Sequence, residues 1–247
     1  MNIVITGASK GLGKAIAEAF AQDGQGHHFF ICARHAAELE QTAKELQDRF
    51  PKINMHSKTC DVANKDQLTD FVNWIMSLTD RVDILVNNAG VYLPGNAFGE
   101  DDGMLEQLMQ VNTYSAYHLT RLILPYMMKA NPSIGSPKES GQARGHIFNI
   151  CSIASLHAYP NGGAYSISKF AMYGFSKNLR EELKPHGIKV THVLPGAAFT
   201  DSWSGSGIDP QRIMEASDIG KMVYAAAQLS PQACVEEIIL RPQLGDL

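Results

Sequence analysis

Asn2-Ile3-Val4-Ile5-Thr6-Gly7-Ala8-Ser9-Lys10-Gly11-Leu12-Gly13 passes from a β-branched run, through three glycines, into a helical pattern that continues to about residue 23. Glycines between a strand and a helix permit a tight turn, close backbone approach and tight helix packing. The helix start then offers unpaired N–H groups and a positive dipole end to a pyrophosphate. The spacing is G-x-x-x-G-x-G and not the more familiar G-x-G-x-x-G, so the turn is built differently. Its setting between a strand and a helix still points to a dinucleotide pocket.

Outward from this turn, short β-branched runs alternate with helical periodicity along the whole chain. Strands are expected at 2–6, 28–33, 53–59, 82–87, 146–151, 189–194 and 235–240. Helices are expected near 11–23, 36–50, 64–79, 104–129, 164–184 and 217–229. Such alternation implies βαβ units, and right-handed crossovers then leave few topologies. The expected fold is α/β: a doubly wound (Rossmann) parallel sheet of about seven strands with helices on both faces. No composition break divides residues 1–247, which are read as one dinucleotide-binding and catalytic domain. Segment 104–129 is apolar nearly all round from Tyr114 to Met128, so it should be covered on more than one side, by its own fold or by a second subunit. Pro125 should kink it or end its regular hydrogen bonding.

A net charge of −4 gives no electrostatic case for nucleic acid or an anionic membrane. No apolar run has the length of a membrane helix, and Met1 is not followed by a basic, cleavable leader, so a cytoplasmic location is expected. Cys32, Cys60, Cys151 and Cys234 lie far apart without C-x-x-C spacing and are read as free thiols. The histidines form no metal-ligand pattern, and no metal is expected.

The second strand bears on the choice of dinucleotide. NAD-binding versions place an acid near its end to accept from the ribose 2′-hydroxyl. Here the strand ends Cys32-Ala33-Arg34-His35. The Arg34 guanidinium suits a 2′-phosphate, which an acid would repel. Lys10 in the glycine turn can approach the same group. NADP(H) is the expected cofactor.

Tyr165-Ser166-Ile167-Ser168-Lys169, with Ser152 upstream, suggests the chemistry. A tyrosine and a lysine four apart share one helix face, roughly 6 Å apart at their bases. Lowering a phenol pKa by three units from about 10 needs roughly 4 kcal/mol of selective stabilisation of the phenolate. A fixed ammonium one turn away is expected to supply much of it. The arrangement suits a proton donor to a developing alkoxide.

With these residues in view, the chain resembles the short-chain dehydrogenase/reductase family over essentially its whole length. Thr6 to Gly13 match that family's T-G-x-x-x-G-x-G turn, which implies cofactor contacts from Gly7, Ser9, Lys10, Gly11, Leu12 and Gly13. Asp61-Val62 match the pair at the adenine. Asn87-Asn88-Ala89-Gly90 match the N-N-A-G motif that supports the sheet, with Asn88, Ala89 and Gly90 on the adenine–ribose side. Pro195-Gly196 and Thr200 match the nicotinamide end. Asn112, Ser152, Tyr165 and Lys169 match the catalytic set. The resemblance implies that Tyr165 donates the proton and Ser152 holds the carbonyl oxygen. Lys169 lowers the phenol pKa and binds the ribose, and Asn112 holds a water linking Lys169 to solvent.

The implied activity is NADPH-dependent carbonyl reduction or alcohol oxidation on a small ketone or aldehyde. The tail from Val235 to Pro242, PGAAFT and Trp203 resemble bacterial sepiapterin-reductase-type members, which makes a pterin side-chain ketone a lead. The alternatives are a 3-oxoacyl-thioester reductase and a non-catalytic NADP-binding regulatory protein. Family habit implies a homodimer or homotetramer. Two irregular stretches complete the reading: an exposed loop at 131–145, and a segment at 197–210 that can close over substrate. The substrate pocket is expected around Leu93, Leu156 and Tyr159.

Overall fold

A computed structural model describes residues 1–129, 145–200, 203 and 207–247. The loop expected at 131–145 lies outside the described residues except for Gly145, as do residues 201, 202 and 204–206 of the 197–210 segment. Seven parallel strands form the central sheet. They are β1 (Asn2–Thr6), β2 (His28–Ala33), β3 (Asn54–Thr59), β4 (Ile84–Asn87), β5 (Gly145–Ile150), β6 (Ile188–Pro195) and, after two short strands β7 (Ala198–Phe199) and β8 (Met214–Glu215), β9 (Glu237–Leu240). The order is β3-β2-β1-β4-β5-β6-β9, with β7 and β8 paired separately. The expected strands all form, shifted by at most two residues at an end.

Alternation along each strand splits the core into two layers. Ile3, Ile5, Phe29, Ile31 and Phe148 pack one face against α1 (Gly11–Ala21), α2 (Ala36–Arg49) and, at the other end of the chain, Ile219 and Val223. Val4, Phe30, Leu85, Ile147 and Val190 pack the other face against α3 (Lys65–Leu78) and residues 119–127 and 179–183. The strands read as continuous apolar runs because both faces are covered. Burial of each large side chain contributes about 1.5–3 kcal/mol. Local chemistry sets the helix starts: Asn64 caps α3, its side chain accepting from the N–H groups of Asp66 and Gln67.

The apolar segment expected as one helix is three pieces: α4 (Met104–Met109), a π-helical turn (Gln110–Tyr114) and α5 (Ser115–Met128). Pro125 lies inside α5, which continues for three more residues, so the helix does not end there. Ala116, Leu119, Ile123 and Met127 are buried, whereas Tyr114 and Tyr117 are exposed. Among the described residues, then, the segment is covered on one side. The longest helix, α6 (Gly163–Leu183), and the last, α7 (Ala216–Ala227), complete the layers. No helix of the described residues is long and apolar enough to cross a membrane.

The chain runs outward from β1 to β3, then crosses to β4 on the other side of β1. That reversal opens a crevice at the carboxyl ends of β1 and β4, the general ligand site of such sheets. A buried polar chain ties the strands beside it. Asn87 Nδ2 donates to Thr120 Oγ1 (2.9 Å) and Asn149 Oδ1 (2.8 Å), and Asn149 Nδ2 donates to Ser176 Oγ (2.7 Å).

Candidate active site

A cleft of about 580 Å³ occupies this crevice. Its floor is the glycine turn. Gly7 and Gly11 both have positive φ (+64° and +57°), which an L side chain adopts only with strain. Asn88 Nδ2 donates to the carbonyls of Thr6 (2.8 Å) and Gly7 (2.9 Å), and Thr6 Oγ1 accepts from the N–H groups of Asn88 and Ala89. The NNAG segment therefore locks the turn from the neighbouring strand. No side chain among the described residues caps the start of α1, which leaves its first N–H groups for a ligand in the cleft.

Nearly all the residues singled out in the sequence meet here. Gly7, Ser9, Lys10, Gly11 and Leu12 form one part of the wall, with Arg34, Asp61 and Val62 at the β2–β3 side. Asn88, Ala89 and Gly90 line the centre. Ser152, Tyr165 and Lys169 face them, and Pro195, Gly196 and Thr200 close the far end. Two residues stand behind the wall. A Cβ on Gly13 would lie 2.5 Å from Gly7 O and 2.6 Å from Asn88 Nδ2, so Gly13 shapes the turn by close packing. Asn112 sits in the π-helical turn with its side chain engaged on protein: Oδ1 accepts from Val91 N–H, and Nδ2 donates to Val91 O and Ser168 Oγ. Both amide hydrogens are committed to protein, so a water held at Asn112 would meet its oxygen atoms.

At the reacting end, Ser152 follows β5, and its hydroxyl accepts from Ala154 N–H at 3.1 Å. Ser155 Oγ donates to the carbonyl of Lys169 (2.8 Å), joining the end of β5 to α6. Lys169 Nζ lies 5.9 Å from the Tyr165 ring centroid. Burial works against the expected acidification of the phenol. Burial is the largest influence on Tyr165 and raises its pKa, opposed by a hydrogen bond from Ser152. Burial likewise pulls Lys169 below the ordinary lysine value. The ammonium lies beside the ring, and removing both groups from water outweighs that proximity. Burial pushes Cys151, next to Ser152, up to about 12, which keeps it an inert thiol.

Several wall residues escaped the sequence reading. Glu38, in the first turn of α2, pairs with Lys10 at 3.6 Å, so an acid does stand near the β2 end, held by a cation. Tyr92 packs edge-on against Tyr165 (4.8 Å between centroids, 86° between planes). Arg241, Asp246 and Leu247 return from the tail to the cleft, and Arg212 holds the carbonyls of Gly245 and Asp246 at 3.0 and 3.1 Å. Tyr159 and Trp203 line the wall as expected, together with His157. Leu93 and Leu156 do not, and Leu156 packs instead against the small cluster of Cys151, Met172 and Leu194. Only the helical position of Glu38 was a readable signal; the others come from distant parts of the chain.

The sequence profile of the family described as short chain dehydrogenase matches residues 1–209. The chain belongs to that family. It is 30% identical over 251 residues to a sepiapterin reductase of Chlorobaculum tepidum, an alignment covering 99% of this chain and 97% of the relative. An uncharacterised oxidoreductase of Staphylococcus saprophyticus is 29% identical over 239 residues, covering 97% and 96%. Among solved structures, a metagenomic short-chain oxidoreductase in complex with NADP superposes with a TM-score of 0.80 at 29% identity, over 98% of this chain and 97% of that one. Serine dehydrogenase from Escherichia coli superposes with a TM-score of 0.82 at 26% identity, over the full length of both chains.

Proposed function

We propose that the protein is an NADPH-dependent carbonyl reductase, working reversibly as an alcohol dehydrogenase on a small ketone or aldehyde. The observation that carries this reading is the convergence of Ser152, Tyr165 and Lys169 on the cleft whose floor is the glycine turn. The cleft suits the cofactor: a Cβ on Gly7 would meet Ala89 Cα at 2.9 Å, so only glycine keeps the turn open, and Arg34 and Lys10 line the same cleft as cations that suit a 2′-phosphate. NADP in the related metagenomic oxidoreductase supports the same choice.

NADPH, when bound, supplies the hydride. Tyr165 gives its phenolic proton to the substrate oxygen. Ser152 donates a hydrogen bond to that oxygen and, before substrate arrives, to the phenol. Lys169 has one N–H engaged by Ile150 O and two left for the ribose hydroxyls and the returning proton. Its charge becomes useful as negative charge develops on the phenol, when the buried site most needs a counterion. Asn112 acts through position: it fixes Ser168, whose hydroxyl donates to Tyr165 O at 2.7 Å. The aromatic wall of Tyr92, Tyr159 and Trp203 favours a flat substrate, and a pterin side-chain ketone is the reading that the Chlorobaculum relative supports. Exposed Tyr114, Tyr117, Ile167 and Phe170 on the π-helical turn, α5 and α6 suit a second copy of this chain, giving a homo-oligomer.

The test is NADPH oxidation over a panel of ketones, quinones, pterins and acyl thioesters, repeated with Tyr165→Phe. Turnover should fall by about 10²–10⁴ with NADPH binding intact. A Phe variant as active as the parent would remove the reading.

A further inference from the structure

The helix that carries Tyr165 begins without a cap of its own. Its N-cap position is Gly162, which has no side chain, and its first turn contains no acidic residue. A 21-residue helix starting this way leaves N–H groups unpaired at the rim of the cleft, where the phenol must be held still. The missing acceptor comes from 64 residues earlier in the chain. The two carboxylate oxygens of Glu100 lie 3.0 and 3.1 Å from the N–H of Ala164, the residue before Tyr165.

The seat of this carboxylate is shaped for it. A Cβ on Gly163 would stand 2.1 Å from Glu100 Oε1, and one on Gly95 would stand 2.6 Å from the same oxygen. Two glycines thus leave the space that the carboxylate fills. Gly95 N–H donates to Asn161 O at 3.1 Å, joining the Glu100 segment to the turn that precedes α6. Glu100 N–H donates to Asn96 O at 2.9 Å, which sets the approach of its side chain. The same segment brings Tyr92 edge-on against the Tyr165 ring. One stretch, residues 92–100, therefore touches the proton donor twice: at its ring, and through the backbone one residue before it.

We infer that Glu100 is a positioning residue, a remote N-cap that holds the first turn of α6 and so fixes the Tyr165 hydroxyl relative to Ser152. A carboxylate at a helix N-terminus satisfies orphan donors and complements the dipole. Small misplacement of a reacting group is costly in rate, so losing this cap appears in kcat more than in binding. The inference rests on the proposed role of Tyr165.

The experiment measures kcat, KM and NADPH affinity, the last by fluorescence titration, for Glu100→Ala, Glu100→Gln and Gly163→Ala beside Tyr165→Phe. Glu100→Ala should lower kcat by roughly ten- to a hundred-fold, with the NADPH Kd changed by less than about two-fold. Glu100→Gln should recover most of the rate, because its amide oxygen still accepts from Ala164 N–H. Gly163→Ala should also lower kcat, because its methyl group meets both the Glu100 carboxylate and the Gly95 carbonyl at a positive φ, so it reports on the whole seat of the carboxylate. Unchanged kcat in Glu100→Ala, or loss of kcat and cofactor affinity in equal measure, overturns the inference while an inactive Tyr165→Phe leaves the proposed function standing. Full activity in Tyr165→Phe overturns both.

Discussion

Lys169 Nζ donates to the carbonyl oxygen of Ile150 at 3.0 Å, pinning α6 to the carboxyl end of β5. This bond fixes a buried ammonium beside the phenol, and the ammonium is there at a desolvation cost. Replacing Lys169 with Met keeps an unbranched side chain one atom shorter and removes the charge. Turnover should drop by about 10²–10⁴. Thermal stability should move little, because relief from desolvation offsets the orphaned Ile150 carbonyl. Steady-state rates and an unfolding curve on the same sample check both; a large loss of stability with normal turnover would reverse the assignment.

Arg34 lines the cleft at the end of β2, where the cofactor reading requires a cation. Arg34→Asp replaces a charge-assisted donor worth about 1.5–3 kcal/mol with a repulsive group. The ratio of kcat/KM for NADPH over NADH should fall by roughly ten- to a hundred-fold. An unchanged ratio would separate Arg34 from the 2′-phosphate.

Gly11 and Gly13 should respond differently to alanine. At Gly11 the added Cβ finds Thr200 Cγ2 at 3.4 Å, and the cost is mainly backbone strain at φ +57°, about 1–2 kcal/mol. At Gly13 it would strike Gly7 O at 2.5 Å, and backbone cannot swing aside as a flexible side chain can. Gly13→Ala should therefore lose more stability and more NADPH affinity than Gly11→Ala. Parallel melting curves and cofactor titrations decide it.

Stability should fall on mild acidification. His146 is buried, stacked on Phe148 (3.9 Å between centroids), with Nε2 2.7 Å from Thr191 Oγ1, and burial lowers its pKa to about 3. The unfolded chain takes up this proton near 6.5, the folded protein only near 3. Between those values the unfolded state holds more protons, so folding stability declines as pH drops. From pH 7 to pH 5 the loss from this one group is about 2 kcal/mol. His146→Gln, which does not titrate, should flatten the dependence seen in urea unfolding. Equal slopes in the two proteins would mean that folding leaves the affinity of the imidazole for its proton unchanged.

Much of the fold was readable because its signals are local. Apolar strand runs such as Ile3-Val4-Ile5 and Phe29-Phe30-Ile31 announce burial on both faces, and the glycine turn announces its own backbone geometry. The π-helical turn was not readable. It depends on Asn112 reaching Val91 and Ser168, and nothing in the spacing around Asn112 encodes those partners. The Glu100 cap, Tyr92 and the tail residues Arg241 and Asp246 were missed for the same reason: each meets the site through contacts across the fold.

By itself the sequence determined the alternation of strands and helices, the phosphate-loop geometry and the sharing of one helix face by Tyr165 and Lys169, since periodicity and glycine conformation are properties of neighbouring residues. The tertiary structure alone decided which of those groups lose water and which distant partners they gain. That is why four-residue spacing suggested an acidified phenol, whereas burial raises Tyr165 and leaves Lys169 tied to Ile150: an ionisation constant is set by solvent and charge in three dimensions, and these are absent from the order of residues along the chain.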